Sequence, residues 1–290
     1  MLGAIIGDIA GSTYEVEEVK SLKKKEIDYE RRIKILDDSV PLFNEESSYT
    51  DDSVLTAAIA NALLTDGNYY KHLKEFGLRE VSLGLDKYGR SRFSKGFVDW
   101  LSGDYIGRSC GNGCAMRISP IANYFNNLDQ IIAESKKATF TSHRSSDAEE
   151  MSELVSICIY LSKIKKNKEF IKKFFKDIYG YRFAYNLEDL QKNYTFTSNA
   201  IDSVPQAVFC FLESNSFEDA IRKAISIGGD SDTIAAIAGS IAEAYYGIDE
   251  DLIKEVEKYL PEYIIDIVNE FYEVTKGYKP FKEKIKNKSI

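Results

Sequence analysis

The 290-residue chain carries 38 basic against 46 acidic side chains, a formal charge of −8, and 44% of its residues are hydrophobic, enough to fill the core of one large or two modest domains. An acidic balance without a basic stripe argues against nucleic-acid binding, and no apolar run reaches the ~18 residues of a membrane span. Four cysteines, Cys110, Cys114, Cys158 and Cys210, show neither CxxC pairing nor disulfide-framework spacing, and no basic leader precedes the apolar start, a pattern that points to a reduced, cytoplasmic protein.

Residues 1–15 read as an apolar helix in which Gly3, Gly7 and Gly11, spaced four apart, form a face that another helix can approach closely. Asp8 and Glu15 are the exceptions to its apolar character, and lie seven apart, hence on one side. Residues 16–49 are charged and without period, which predicts a long surface connection with Asp37 and Asp38 as turn residues. The cluster Thr50-Asp51-Asp52-Ser53 then opens residues 54–64, apolar all round and rich in helix formers, as expected of a buried core helix.

Residues 65–107 mix short periodic pieces, with Trp100 expected in the core and His72 in an exposed stretch without a role. The loop at 107–120 contains Gly111-Asn112-Gly113, a sequence that marks tight turns and also suits the close approach of a phosphate. Arg117 beside it fits either a phosphate or a surface acid. Two helices are expected over 128–163, flanking the hydroxyl-rich turn that ends in His143, which is either a capping or buried group or a functional one.

Residues 163–194 suggest an amphipathic helix plus loop, and 203–227 give two helices broken at Ser-Asn-Ser and leading into Gly228. Gly228-Gly229-Asp230-Ser231-Asp232-Thr233 then precedes a run of small and apolar residues. Helical periodicity returns over 250–275, and 277–290 reads as a polar tail. Strand signals are nearly absent, so the expectation is an all-α fold with one domain over 1–276.

Two carboxylates at i, i+2 with a hydroxyl at a helix mouth serve either as a cap or as ligands for a hard cation. Two such clusters occur. Together they supply Asp51, Asp52, Asp230 and Asp232 with the hydroxyls of Thr50 and Thr233, enough for one or two Mg²⁺ or Mn²⁺ ions with positions left for water or substrate.

GAIIGDIAGSTYE, YTDDSVLT, SCGNGCAMRISP, the TSH turn and SIGGDSDTIAAIAGSIAEAYYG, in this order, resemble the ADP-ribosylglycohydrolase family typified by dinitrogenase-reductase-activating glycohydrolase, over roughly residues 1–250. The resemblance implies a compact all-α domain with a central dinuclear cleft. It implies an enzyme that removes ADP-ribose from a modified protein side chain, such as arginine or serine, or from a small ADP-ribosyl conjugate; a monomer is the separate expectation for its assembly. Carried over by motif, Thr50, Asp51, Asp52, Asp230, Asp232 and Thr233 are implied metal ligands, with Asp232 bridging, and Glu15 the catalytic glutamate. Ser109, Gly111, Asn112, Gly113 and His143 are implied on the substrate side. The chain departs from the family in having Arg108-Ser109-Cys110 where an aromatic often precedes GNG, and TSHR at the histidine turn. Readings from other classes are a metal-dependent nucleotide phosphohydrolase, told apart by its products, and a non-catalytic ADP-ribose-binding protein, which needs no proton-transfer glutamate.

Overall fold

The computed structural model describes residues 1–24, 26–86, 89, 91–103 and 107–282. Among them run fifteen α-helices: α1 Leu2–Lys24, α2 Tyr29–Lys34, α3 Asp51–Leu64, α4 Tyr69–Ser82, α5 Lys95–Ser102, α6 Ser119–Tyr124, α7 Leu128–Thr139, α8 Ser146–Lys163, α9 Lys168–Tyr179, α10 Leu187–Asn193, α11 Ala200–Leu212, α12 Phe217–Ser226, α13 Ser231–Tyr246, α14 Glu250–Val256 and α15 Glu262–Lys276. No β-strand occurs among the described residues; one isolated bridge joins Gly111 to Asn199. Among the described residues, no helix is long and apolar enough to cross a membrane.

The hub is α13, buried from Ser231 to Glu243 and packed by α1, α8, α11 and α12. Its contact with α1 is made by the expected glycine face. A Cβ added at Gly3, Gly7 or Gly11 would fall 2.3 Å from the Gly239 carbonyl oxygen, 2.1 Å from that of Ala235 and 2.5 Å from the Cα of Asp232 respectively. Only glycine lets the two backbones touch so closely. The far end of the same seam is tied by Glu243, which accepts from the Gly3 amide, the Met1 ammonium, the Tyr272 hydroxyl and Lys276.

Helix α3 lies against α1, α4, α6 and α15, and its apolar body is buried as its all-round hydrophobicity predicts. The helices expected over 128–163 and 203–227 form as α7, α8, α11 and α12, and the Ser-Asn-Ser break ends with Ser216 capping α12. Trp100 is buried, as expected.

Several expectations are corrected. Residues 16–49 are not one irregular connection, because α1 continues to Lys24 and α2 follows. What a hydrophobic period cannot reveal is the tertiary tie: Glu18, one turn beyond Glu15, pairs with Arg31 and the buried Arg32. His72 is not exposed but buried, with Asn61, Thr65 and Asp66 around its ring. Arg117 is not at the surface but fully buried, and no ion pair joins it to an acid among the described residues. Within the stretch expected as a tail, Phe281 is buried and donates its amide to Asn269 at 2.9 Å; residues 283–290 lie outside the described residues.

Candidate metal centre and substrate cleft

The first turns of α3 and α13 meet against the middle of α1, and this meeting creates the site. Asp8 on α1 is wholly buried and accepts from four donors at the start of α3: the Thr50 amide at 3.0 Å, the Thr50 hydroxyl at 2.6 Å, the Ser53 amide at 3.0 Å and the Ser53 hydroxyl. It anchors the α3 mouth as a cap borrowed from another helix.

On the α13 side, Gly228 and Gly229 both adopt φ near +75°, a left-handed turn that suits glycine. There is no room for a larger residue, since a Cβ on Gly228 would meet the Arg32 guanidinium at 2.3 Å. Arg32 is in turn held by Glu18 and by the carbonyls of Gln191 and Tyr194, and Glu18 accepts from the Gly229 amide at 3.3 Å. The turn that delivers Asp230 and Asp232 is thereby buttressed from behind.

The carboxylates converge in two groups, each with ligand oxygens within 4.8 Å of one another: Asp8, Asp52 and Asp232, and Glu15, Asp230 and Asp232. Asp232 belongs to both. Thr233 donates from its hydroxyl to Asp52 at 3.3 Å, so the α3 and α13 clusters touch directly. Asp52 Oδ1 is buried without a hydrogen-bond partner among the described residues.

Burial, then the facing charges of Asp8 and Glu15, push Asp51 up to about 8. Burial, then Glu15, takes Asp230 to about 7 against the help of Asn112. Asp52 and Asp232 are driven well above the usual carboxylate range, first by burial and then by neighbouring acids, chiefly Asp232 and Asp8 for Asp52 and Asp230 and Asp8 for Asp232. Carboxylates placed so resist ionisation until a cation stands among them, and a hard divalent ion reverses that preference. The orphaned Asp52 oxygen, the shared Asp232 and the all-oxygen donor set therefore fit one or two Mg²⁺- or Mn²⁺-like ions.

These groups line a cavity of about 700 Å³. Every residue assigned a site role from the sequence lines it: Glu15, Thr50, Asp51, Asp52, Ser109, Gly111, Asn112, Gly113, His143, Asp230, Asp232 and Thr233. The Gly111 loop is pinned to residues 198–200 by Asn112 N–H to the Ser198 carbonyl at 2.8 Å and Ala200 N–H to the Cys110 carbonyl at 3.0 Å. Ser109 Oγ accepts from the Gly111 amide at 3.0 Å.

One residue has a task the sequence did not suggest. The Asn112 side-chain amide donates to Asp230 at 2.8 Å and to Ser203 at 3.2 Å, so it orients a candidate ligand of the cation with both of its N–H donors engaged. Asp8 is the site residue to which sequence reasoning assigned no role; its signal was a charge on an otherwise apolar, glycine-lined helix. Phe93, Phe97 and Trp100, with Arg92, form a further wall of the cavity, where Phe93 and Phe97 stack with centroids 5.0 Å apart.

Residues 1–280 match the family described as ADP-ribosylglycohydrolase. ADP-ribosylhydrolase ARH3 of Homo sapiens is 23% identical over 319 aligned positions, covering 86% of this chain and 85% of the relative. ADP-ribosylarginine hydrolase Tri1 of Pseudomonas putida (strain GB-1) is also 23% identical, covering 89% and 72%. A solved "ADP-ribosylglycohydrolase-related protein complex" contains a chain with the same fold, at a TM-score of 0.54, 21% identity and 78% coverage of each chain. With the family match running from α1 through α15, across every element that builds the cleft, the chain belongs to the ADP-ribosylglycohydrolase family.

Proposed function

We propose that this glycohydrolase frees ADP-ribose from a modified protein side chain or a small ADP-ribosyl conjugate by metal-dependent cleavage of the bond at C1″ of the distal ribose. The observation that carries the reading is the convergence of the acidic cluster and the Gly111 loop with His143 on one cavity. One end suits a sugar held through its hydroxyls, the other a diphosphate.

Thr50, Asp51, Asp52, Asp230, Asp232 and Thr233 would hold two divalent cations, Mg²⁺ or Mn²⁺, with Asp232 shared between them. When bound, such ions supply positive charge that orients ribose hydroxyls and makes a water more acidic. Asp8 keeps Thr50 and the α3 mouth in place, and Asn112 does the same for Asp230. Glu15, which faces Asp230 and Asp232 across the cleft, moves the proton: it takes one from the attacking water or gives one to the departing acceptor atom. Ser109, Gly111, Gly113 and His143 hold the diphosphate, and this positioning contributes to catalysis by fixing the scissile bond, an effect worth up to ~7–11 kcal/mol in favourable cases.

The deciding experiment incubates the protein with arginine- and serine-linked ADP-ribosyl peptides, with Mg²⁺ or Mn²⁺ and with chelator. Release of intact ADP-ribose, lost on chelation, is expected. Release of AMP or phosphate would assign the site to phosphoryl chemistry, and turnover undiminished by chelator would exclude the metal dependence.

A further inference from the structure

Behind the Gly111 loop lies a hydrogen-bonded chain of three side chains. Arg117, fully buried, donates from Nη2 to Ser142 Oγ at 2.6 Å, and Ser142 Oγ lies 2.7 Å from His143 Nδ1. A guanidinium can only donate, and a serine hydroxyl has a single proton. If Nδ1 carried the imidazole proton, both neighbours would donate into Oγ. The Ser142 hydroxyl hydrogen would then be buried with no acceptor among the described residues, a costly arrangement. The hydroxyl therefore donates to Nδ1, and a neutral imidazole accepting there carries its proton on Nε2. Burial, followed by the nearby Arg117 charge, opposes a second proton and takes His143 down to about 3.

The free edge of the ring faces the cleft. His143 lines the cavity, and its Nε2 lies 3.5 Å from where a Cβ on Gly113 would stand and 3.8 Å from one on Gly111. No acceptor for Nε2 occurs among the described residues. Arg117 Nη1 likewise has no partner among the described residues, and Arg117 lines the same cavity. The turn is rigid: the Ser142 and His143 amides both donate to the Thr139 carbonyl, and Gly107 packs so tightly on it that a Cβ would fall 2.0 Å from the Ser142 carbonyl oxygen.

We infer that Arg117 and Ser142 are positioning residues that lock His143 as its Nε2–H tautomer, a neutral donor aimed over the Gly111–Gly113 loop at an anionic oxygen of a nucleoside diphosphate. The identity of that ligand rests on the ADP-ribose reading above; the tautomer does not. A ligand oxygen there would be met by a donor that neither loses its proton nor changes charge around neutral pH.

The test is long-range ¹H–¹⁵N correlation on the full chain labelled at histidine, near pH 7. Only two imidazoles, His72 and His143, are present, and His143→Gln assigns them. The expected spectrum places the His143 proton on Nε2, with that resonance moved by ADP-ribose and by inorganic pyrophosphate. Ser142→Ala should shift population to the Nδ1–H form and weaken ADP-ribose binding roughly tenfold, and Ser142→Thr, which keeps the hydroxyl, should recover both. A proton on Nδ1 in the unaltered protein overturns the inference whatever the variants do. So does an Nε2 resonance unmoved by a ligand that calorimetry shows to be bound. If the Nε2–H form is found and pyrophosphate moves it but ADP-ribose does not bind, the tautomer stands and the ADP-ribose reading falls.

Discussion

Glu15 shares one group of close carboxylates with Asp230 and Asp232, so the same side chain is placed to bind a cation or to move a proton, and Glu15→Gln separates the two. As a proton carrier, its loss should lower kcat ~100-fold or more while leaving ADP-ribose affinity and the number of Mn²⁺ ions bound in calorimetry unchanged. Loss of one ion would make it a ligand instead. Asp232 sits in both groups, so Asp232→Asn should remove all metal binding, whereas Asp230→Asn should leave one ion. Equal losses in the two variants would contradict a shared Asp232. At this scale the sequence discloses residue types but not their partners. Asp8 stands out as a charge on an apolar helix, yet its donors Thr50 and Ser53 lie 42 and 45 residues away. Asn112 reads as a loop residue, yet its amide meets Asp230 across 118 positions. Local pattern carries no information about such pairings.

Among elements, the face of α1 that a second helix packs against was legible because a glycine every fourth residue has few other uses in an apolar helix. The extension of α1 to Lys24 was not, because a charged helix shows its period only through the groups that pair with it, here Glu18 with Arg31 and Arg32. The seam predicts a division of effects along one helix. Gly7→Ala forces a methyl onto the Ala235 backbone and should cost about 1–3 kcal/mol in urea unfolding. Gly11→Ala pushes on Asp232 itself, so its Mn²⁺ affinity should fall in excess of any loss of stability. The opposite end of the seam responds to acid. Burial alone would raise the Glu243 carboxyl, but Lys276 and the Met1 ammonium outweigh it and hold the group well below its usual 4.5. A depressed carboxyl stabilises the folded state above the unfolded value and ceases to do so as pH falls towards the folded one. Glu243→Gln should therefore be about 3 kcal/mol less stable at pH 7, with the gap to the unaltered protein narrowing below pH 4.5. A gap constant from pH 7 to pH 3 would rule out this ion network as its source.

For the whole molecule, the cleft gathers buried acids from three helices that are distant in sequence, and this concentration of like charge couples stability, pH and metal. Asp51 near 8 and Asp230 near 7 lie far above the ordinary 3.8, with Asp52 and Asp232 shifted the same way. Between 3.8 and about 8 the folded chain accordingly binds more protons at these positions than the unfolded chain does, and stability must fall as pH rises through that window. In the presence of chelator, the Tm should drop from pH 6 to pH 8.5. With saturating Mn²⁺ the deprotonated carboxylates become ligands, so the drop should vanish or reverse, and Mn²⁺ binding at pH 6 should release protons, seen as a dependence of calorimetric heat on the buffer's ionisation enthalpy. Asp52→Asn, which removes one of the repelling charges, should flatten the chelator curve. Parallel Tm curves with chelator and with Mn²⁺ would mean that the four aspartates do not share a cation, and would detach the acidic cluster from the proposed chemistry.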